Sequence, residues 1–84
     1  LDKIMLPTPD VAVILEALMT RGHETEMFAV EKALSDEELL PIWNWMQAAD
    51  RDWYIIRVPE DQRTMFLDRS GREYVAEWKP ESAV

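Results

Sequence analysis

The chain has 84 residues, of which 48% are hydrophobic and 31% charged, and this composition is typical of one small globular domain. It carries 17 acidic and nine basic residues, and the net charge of −8 disfavours nucleic acid as a partner. The absence of cysteine excludes disulfides and thiolate metal sites and favours a cytoplasmic location. The longest apolar run, residues 11–15, is too short to span a bilayer, so we expect no membrane partner.

The first predicted helix follows a short lead-in, residues 1–6, to which we assign no element. Thr8, Pro9 and Asp10 have the pattern of an N-cap, a first-turn proline and an acidic first turn. Apolar residues then recur at helical spacing, at Val11, Ile14, Leu15 and Leu18. The pattern predicts a helix that begins after Thr8 and ends at Arg21-Gly22.

A second helix is predicted from Glu24 to Leu34. Met27, Val30 and Leu34 share one face of such a helix. The Gly22-His23 connection is short, so the first two helices should lie close together and at an angle.

The third predicted helix, Ser35 to Trp53, contains the largest apolar side chains. Ser35 and Glu38 have the spacing of a capping box. Pro41 predicts a kink or a restart near Leu40. One apolar stripe follows from the helical period, formed by Leu39, Ile42, Trp43 and Met46.

Beyond this helix the composition becomes aromatic and β-branched. Trp53–Val58 and Arg63–Leu67 read as two strands joined by a turn at residues 59–62, which makes a hairpin. Residues 69–78 fit either a third strand or a C-terminal helix, and residues 80–84 read as a frayed tail. The predicted fold is therefore α+β, with three N-terminal helices followed by an antiparallel β-hairpin in a single domain, residues 1–84.

Two segments resemble the winged helix-turn-helix superfamily. Residues 50–55, Asp-Arg-Asp-Trp-Tyr-Ile, are similar to the start of its first strand. Residues 67–75 resemble the way its second strand ends, with Asp68 in place of a threonine cap. The resemblance implies that the third helix is the recognition helix and that residues 59–62 form the tip of the wing.

The acidic residues of this arrangement favour a protein partner. A recognition helix meets bases with its N-terminal residues, which here are Asp36, Glu37 and Glu38. The wing tip carries Glu60 and Asp61, while affinity for DNA comes largely from cations. We therefore interpret the chain as a non-enzymatic protein-interaction module, namely an adaptor, an inhibitor or a self-associating homodimer, that uses the third helix and the hairpin.

Trp45 is the leading candidate on that surface because it lies away from the apolar stripe. The alternative is that the domain wraps both sides of the helix and that Trp45 is part of the core. The candidate protein-binding residues are Trp45, Leu40, Asp36, Glu37 and Glu38.

The alternative function is a sequence-specific DNA-binding transcriptional regulator. In that case Asn44, Gln47 and Arg51 would face the major groove. Arg57 and Arg63 flank the hairpin turn, would meet across the strands and would bind phosphates from the wing.

No catalytic, cofactor or metal site is predicted. His23 is the only histidine, and its spacing from Glu24 and Glu26 matches no metal motif. The two glycines lie far apart, so no phosphate-binding loop is expected. We therefore expect that the protein is not an enzyme.

Overall fold

The computed structural model describes residues 3–81. Within this range it has two helices and four strands, which alternate along the chain before a final hairpin. The elements are β1 (Lys3–Met5), α1 (Val11–Arg21), β2 (Met27–Val30), α2 (Asp36–Ala48), β3 (Trp53–Val58) and β4 (Arg63–Asp68). Residues 82–84 of the predicted frayed tail lie outside the described residues.

The four strands form one mixed sheet in the order β1-β2-β4-β3. β1 and β2 are parallel, whereas β4 is antiparallel to both β2 and β3. Parallel neighbours require a crossover connection, and α1 provides it between β1 and β2.

The predicted order of three helices followed by a hairpin is wrong. The structure is α+β, but residues 3–81 contain two helices, and the segment predicted as a helix from Glu24 to Leu34 contains β2 instead. Met27–Val30 pairs with β1 on one side and with β4 on the other, and these backbone hydrogen bonds override the weak helical pattern. β1 lies in the lead-in, to which the sequence assigned no element. The element order implied by the winged-helix resemblance is therefore not found.

Helix α1 begins later than the sequence pattern indicated. The N-cap is Asp10, whose Oδ1 accepts a hydrogen bond from the backbone N–H of Ala12 at 2.8 Å. Thr8 caps the preceding turn instead, because its hydroxyl oxygen accepts from the N–H of Asp10 at 3.2 Å. The predicted end at Arg21-Gly22 is confirmed.

Helix α2 has the predicted capping box at its start. The Ser35 hydroxyl accepts from the N–H of Glu38, and the Glu38 carboxylate accepts from the N–H of Ser35. The helix continues through Pro41, so the predicted restart is wrong. It ends at Ala48, before the end of the predicted stretch, and the predicted strand Trp53–Val58 is confirmed as β3.

The predicted hairpin is confirmed as β3 and β4, joined by a 3-10 turn at Pro59–Asp61 and by Gln62. Residues 69–81, which follow β4, are called the tail below. They form neither the third strand nor the C-terminal helix that was predicted for residues 69–78. The tail forms turns and one bridge, in which the N–H of Trp78 donates to the carbonyl of Ile55 at 2.7 Å.

The hydrophobic core lies between the sheet and the two helices. The side chains of each cross-strand row point to the same side of a sheet, and successive rows alternate. The row of Ile4, Phe28, Phe66 and Ile55 faces the helices. It packs against the buried helix residues Ile14, Ala17, Leu18, Leu39, Ile42 and Met46. The rows directly on either side of this one point away from the helices.

Candidate interaction surface

The predicted site residues on α2 are distributed along its outer side. Asp36, Glu37, Leu40, Asn44 and Gln47 are all exposed. Leu40 is the large apolar residue among them, with 41% of its surface accessible.

Trp45 is half-buried and packs against the core. The guanidinium of Arg51 lies 5.6 Å from the Trp45 ring centroid and 5.3 Å from that of Trp53. Such cation–π contacts hold the guanidinium against the protein. Arg51, which we considered for the major groove, thus has two intramolecular partners.

Asp36 is held in a cluster with Arg57 and Trp78. Its Oδ1 accepts from Arg57 at 2.7 Å and from the indole N–H of Trp78 at 3.2 Å. Arg57 also donates to the carbonyl of Leu34 at 3.1 Å. The hydrogen bond from Arg57, followed by that from Trp78, lowers the pKa of Asp36 below its ordinary value of 3.8. Asp36 and Arg57 therefore connect the start of α2, the hairpin and the tail.

Glu38 also has internal partners. Besides its bond to the backbone of Ser35, it forms an ion pair with Lys32 at 3.2 Å. The hydrogen bond from the Ser35 backbone lowers the pKa of the Glu38 carboxyl. The carboxylate thus stabilises the start of the helix.

The residues considered for DNA binding are not on one surface. Arg57 pairs in register with Thr64, whereas Arg63 pairs with Val58, so the two arginines point to opposite faces of the hairpin. They do not meet across the strands, because the connection of residues 59–62 places Val58 opposite Arg63. Arg57 faces the helix side, and Arg63 faces away from it.

A depression of about 630 Å³ lies between the end of α2 and the tail. Trp43 and Trp53 are among its lining residues. Arg69, one of its lining cations, forms ion pairs with Asp52 at 3.2 Å and with Glu77 at 2.9 Å. These partners, above all Glu77, raise the pKa of Arg69. The charges of Arg69, Asp52 and Glu77 thus balance one another in this depression.

No group of three or more metal-ligating side chains of histidine, aspartate or glutamate is found among residues 3–81.

The side of the sheet that points away from α1 and α2 is called the open face here. Apart from Lys3 and Arg63, its side chains are apolar. Met5 is 42% exposed and most of the other residues are half-buried, whereas Ala29 and Tyr54 are fully buried. The strand residues of the open face are Lys3, Met5, Met27, Ala29, Tyr54, Ile56, Val58, Arg63, Met65 and Leu67.

The tail covers one corner of the open face. The ring of Tyr74 stacks on Tyr54 with centroids 4.3 Å apart, and the guanidinium of Arg69 lies 5.1 Å from the Tyr54 ring. Burial raises the pKa of the Tyr54 hydroxyl above its ordinary value. The buried core cluster, to which both described helices contribute side chains, lies on the other side of the sheet.

The open face was not predicted from the sequence, although β4 carries a signal for it. Thr64 and Phe66 are buried on one side of this strand, while Met65 and Leu67 on the other side are also apolar. A strand that is apolar on both sides is typical of a sheet covered on both faces. In this structure the described helices cover only one face of the sheet.

None of the helices in the described range is both long enough and apolar enough to cross a membrane. Comparison of the chain with models of protein families, with curated proteins and with solved structures found no match.

Proposed function

We propose that this chain is a non-enzymatic protein-interaction module that binds its partner through the open face. The observation that carries the proposal is the continuous set of apolar side chains on the side of the sheet opposite the helices. Surface patches of this kind on small proteins commonly mark interaction sites.

The size of the open face supports this function. Strands about 4.8 Å apart with a rise of about 3.3 Å per residue give four strands of this length an area of about 300 Å². Covering an accessible apolar area of that size would contribute about 7 kcal/mol at about 25 cal/mol per Å², and this is an upper value because most of these side chains are already half-buried. Association itself costs about 4–15 kcal/mol in lost freedom of motion, so apolar burial alone would give weak, reversible binding and polar contacts would have to add to it.

Methionines give the open face an adaptable surface. Met5, Met27 and Met65 lie on it, whereas Met46 is in the core and Met19 is exposed on α1. Unbranched thioether side chains change rotamer at low cost and fit differently shaped partners. The three methionines would therefore adjust to the surface of the partner.

This proposal moves the contact surface predicted from the sequence. The hairpin contributes through Ile56, Val58, Met65 and Leu67, but α2 lies on the opposite side of the sheet. Asp36 and Glu38 already have internal partners. Since the chain has no cysteine, we place this function in the reducing cytoplasm.

Selection from a random phage-displayed peptide library tests the proposal without a known partner. The full chain serves as bait in three forms: wild type, Met65→Glu and the matched control Met19→Glu. A carboxylate at Met65 would have to be desolvated under a bound apolar segment, whereas one at Met19 would remain in water. Peptides that bind the wild type and Met19→Glu, but not Met65→Glu, are expected.

Urea denaturation of the same variants checks that folding is intact. Both substitutions place the charge on a side chain that is not fully buried, so both variants should remain folded. Selected peptides that bind all three forms equally would contradict the proposal.

A further inference from the structure

We propose that the occupant of the open face is an amphipathic helix of about three turns with carboxylates near both ends. This inference rests on the function proposed above and specifies the partner of the same surface. It is carried by the charge of the open face and by the positions of its two cations.

The charge of the open face is opposite to that of the whole chain. Its charged strand residues, within the described range, are Lys3 and Arg63, while the chain carries −8. Neither cation forms an ion pair with another described residue. The Nε of Arg63 is buried and has no hydrogen-bond partner among these residues. Carboxylates of a partner would provide the ion pairs that Lys3 and Arg63 lack.

The two cations define a direction across the sheet. Lys3 lies on β1, Arg63 lies on β4 two strands away, and their rows are four residues apart. These offsets correspond to about 16 Å between the two Cα atoms. The register places Ala29 midway, with Met5, Met27 and Met65 around it. The smallest side chain of the open face thus lies at the centre of the line that joins the cations.

An α-helix matches both the distance between the two cations and the apolar residues that lie between them. A helix rises 1.5 Å per residue, so about 16 Å corresponds to about 11 residues between the two carboxylates. An apolar stripe between them would contact the methionines that surround Ala29, which is itself fully buried.

A second copy of the chain fits the open face less well. An area of about 300 Å² is well below the roughly 800 Å² per partner of a stable complex between folded proteins. Two open faces in contact would also bring like charges together, because each carries only cations on its strands within the described residues.

Two synthetic peptides of about 15 residues test the inference. Both carry the same leucine and alanine stripe, with glutamates at the remaining positions of one (the acidic probe) and lysines at those of the other (the basic probe). Fluorescence anisotropy of labelled probes gives their affinities for the full chain. The acidic probe should bind about tenfold more tightly, although the net charge of −8 favours the basic probe elsewhere on the surface.

Methionine-methyl NMR shows where each probe binds. The acidic probe should shift the methyl resonances of Met5, Met27 and Met65, while Met46 in the core and Met19 on α1 serve as internal references. The double variant Lys3→Glu/Arg63→Glu should remove the preference for the acidic probe. The variant Lys79→Glu, which changes an exposed cation of the tail, should retain it.

The outcomes separate this inference from the proposed function. Equal binding of both probes, with the same three methyl shifts, would leave the open face as an interaction surface and overturn the acidic partner. Tighter binding of the basic probe at these methyls would overturn it as well. A wild-type dimer in sedimentation, with the same methyls changing with concentration, would identify a second copy instead. If neither probe moves these methyls, and no library peptide distinguishes Met65→Glu, then both proposals are wrong.

Discussion

Thr64 connects β4 to the segment that leads into α2, and replacing it with valine should destabilise the protein. The side chain has no accessible surface. Its hydroxyl oxygen accepts from the N–H of Leu34 at 3.0 Å, and the hydroxyl donates to the carbonyl of Lys32 at 2.7 Å. Valine has nearly the same shape but makes neither bond.

The expected cost follows from the surroundings of the two backbone groups. Leu34 is buried, so its N–H would be left without a partner in the core, which costs about 1–3 kcal/mol. The carbonyl of Lys32 would also lose its hydrogen bond, at a cost of about 0.5–1.5 kcal/mol. Thr64→Val should therefore lower the free energy of unfolding by about 2–4 kcal/mol, a large part of the roughly 4–12 kcal/mol expected for a domain of this size.

Urea denaturation followed by tryptophan fluorescence measures this difference. The matched control is Thr64→Ser, which keeps the hydroxyl and loses one methyl group, worth about 1 kcal/mol. A Thr64→Val protein within about 0.5 kcal/mol of wild type would refute the hydrogen-bond argument. So would a Thr64→Ser protein that is less stable than Thr64→Val.

Three further predictions concern the start of α2 and the tail. Ser35→Ala should lower the free energy of unfolding by about 1 kcal/mol in urea, because the cap on the N–H of Glu38 is lost, whereas Ser35→Asp should retain it. The indole N–H resonance of Trp78 should titrate with Asp36 at a midpoint below 3.8, and this step should be absent from Asp36→Asn. Because the folded-state pKa is lowered, the stability contributed by Asp36 is complete above its ordinary pKa and is lost as the pH falls through the lower value. Arg69→Gln should make residues 70–78 sensitive to limited proteolysis, since the ion pairs to Asp52 and Glu77 are removed, whereas Arg72→Gln should not.

Each of these predictions has a contrary result. Equal stability of Ser35→Ala and Ser35→Asp would show that the side-chain cap contributes nothing. A Trp78 resonance that does not change down to pH 2 would separate the indole from Asp36. Equal cleavage of the Arg69→Gln and Arg72→Gln proteins would show that the ion pairs of Arg69 do not hold the tail.

Sequence reasoning succeeded where the determining interactions are local. The capping box needs only Ser35 and Glu38, three residues apart, and it marks the start of α2 in both the sequence and the structure. The hairpin follows from two short β-rich runs and the turn between them. The end of α1 at Arg21-Gly22 is a signal of the same kind.

Sequence reasoning failed where pairing over long distances decides the structure. Phe28, Ala29 and Val30 are all fully buried, so β2 lacks the polar and apolar alternation that identifies a half-exposed strand. Met27, Val30 and Leu34 happen to match a helical period as well. β1 has only three residues, too few for any period to be visible.

The candidate surface was missed for the same reason. Met5, Met27 and Met65 come from three different strands and become neighbours only through the register of the sheet. The separation of Arg57 from Arg63, by contrast, follows from the length of the hairpin connection. Four connecting residues place Val58 opposite Arg63, and the alternation of a strand then puts Arg57 on the other face.

The position of β4 has a consequence for biosynthesis. It is the last strand along the described residues, yet it lies between β2 and β3. While only the residues before β4 have left the ribosome, the strand that lies between β2 and β3 is missing. The nascent polypeptide therefore cannot complete its sheet. Structure should therefore appear abruptly once residue 68 has emerged from the exit tunnel, and shorter nascent chains should remain substrates for chaperones.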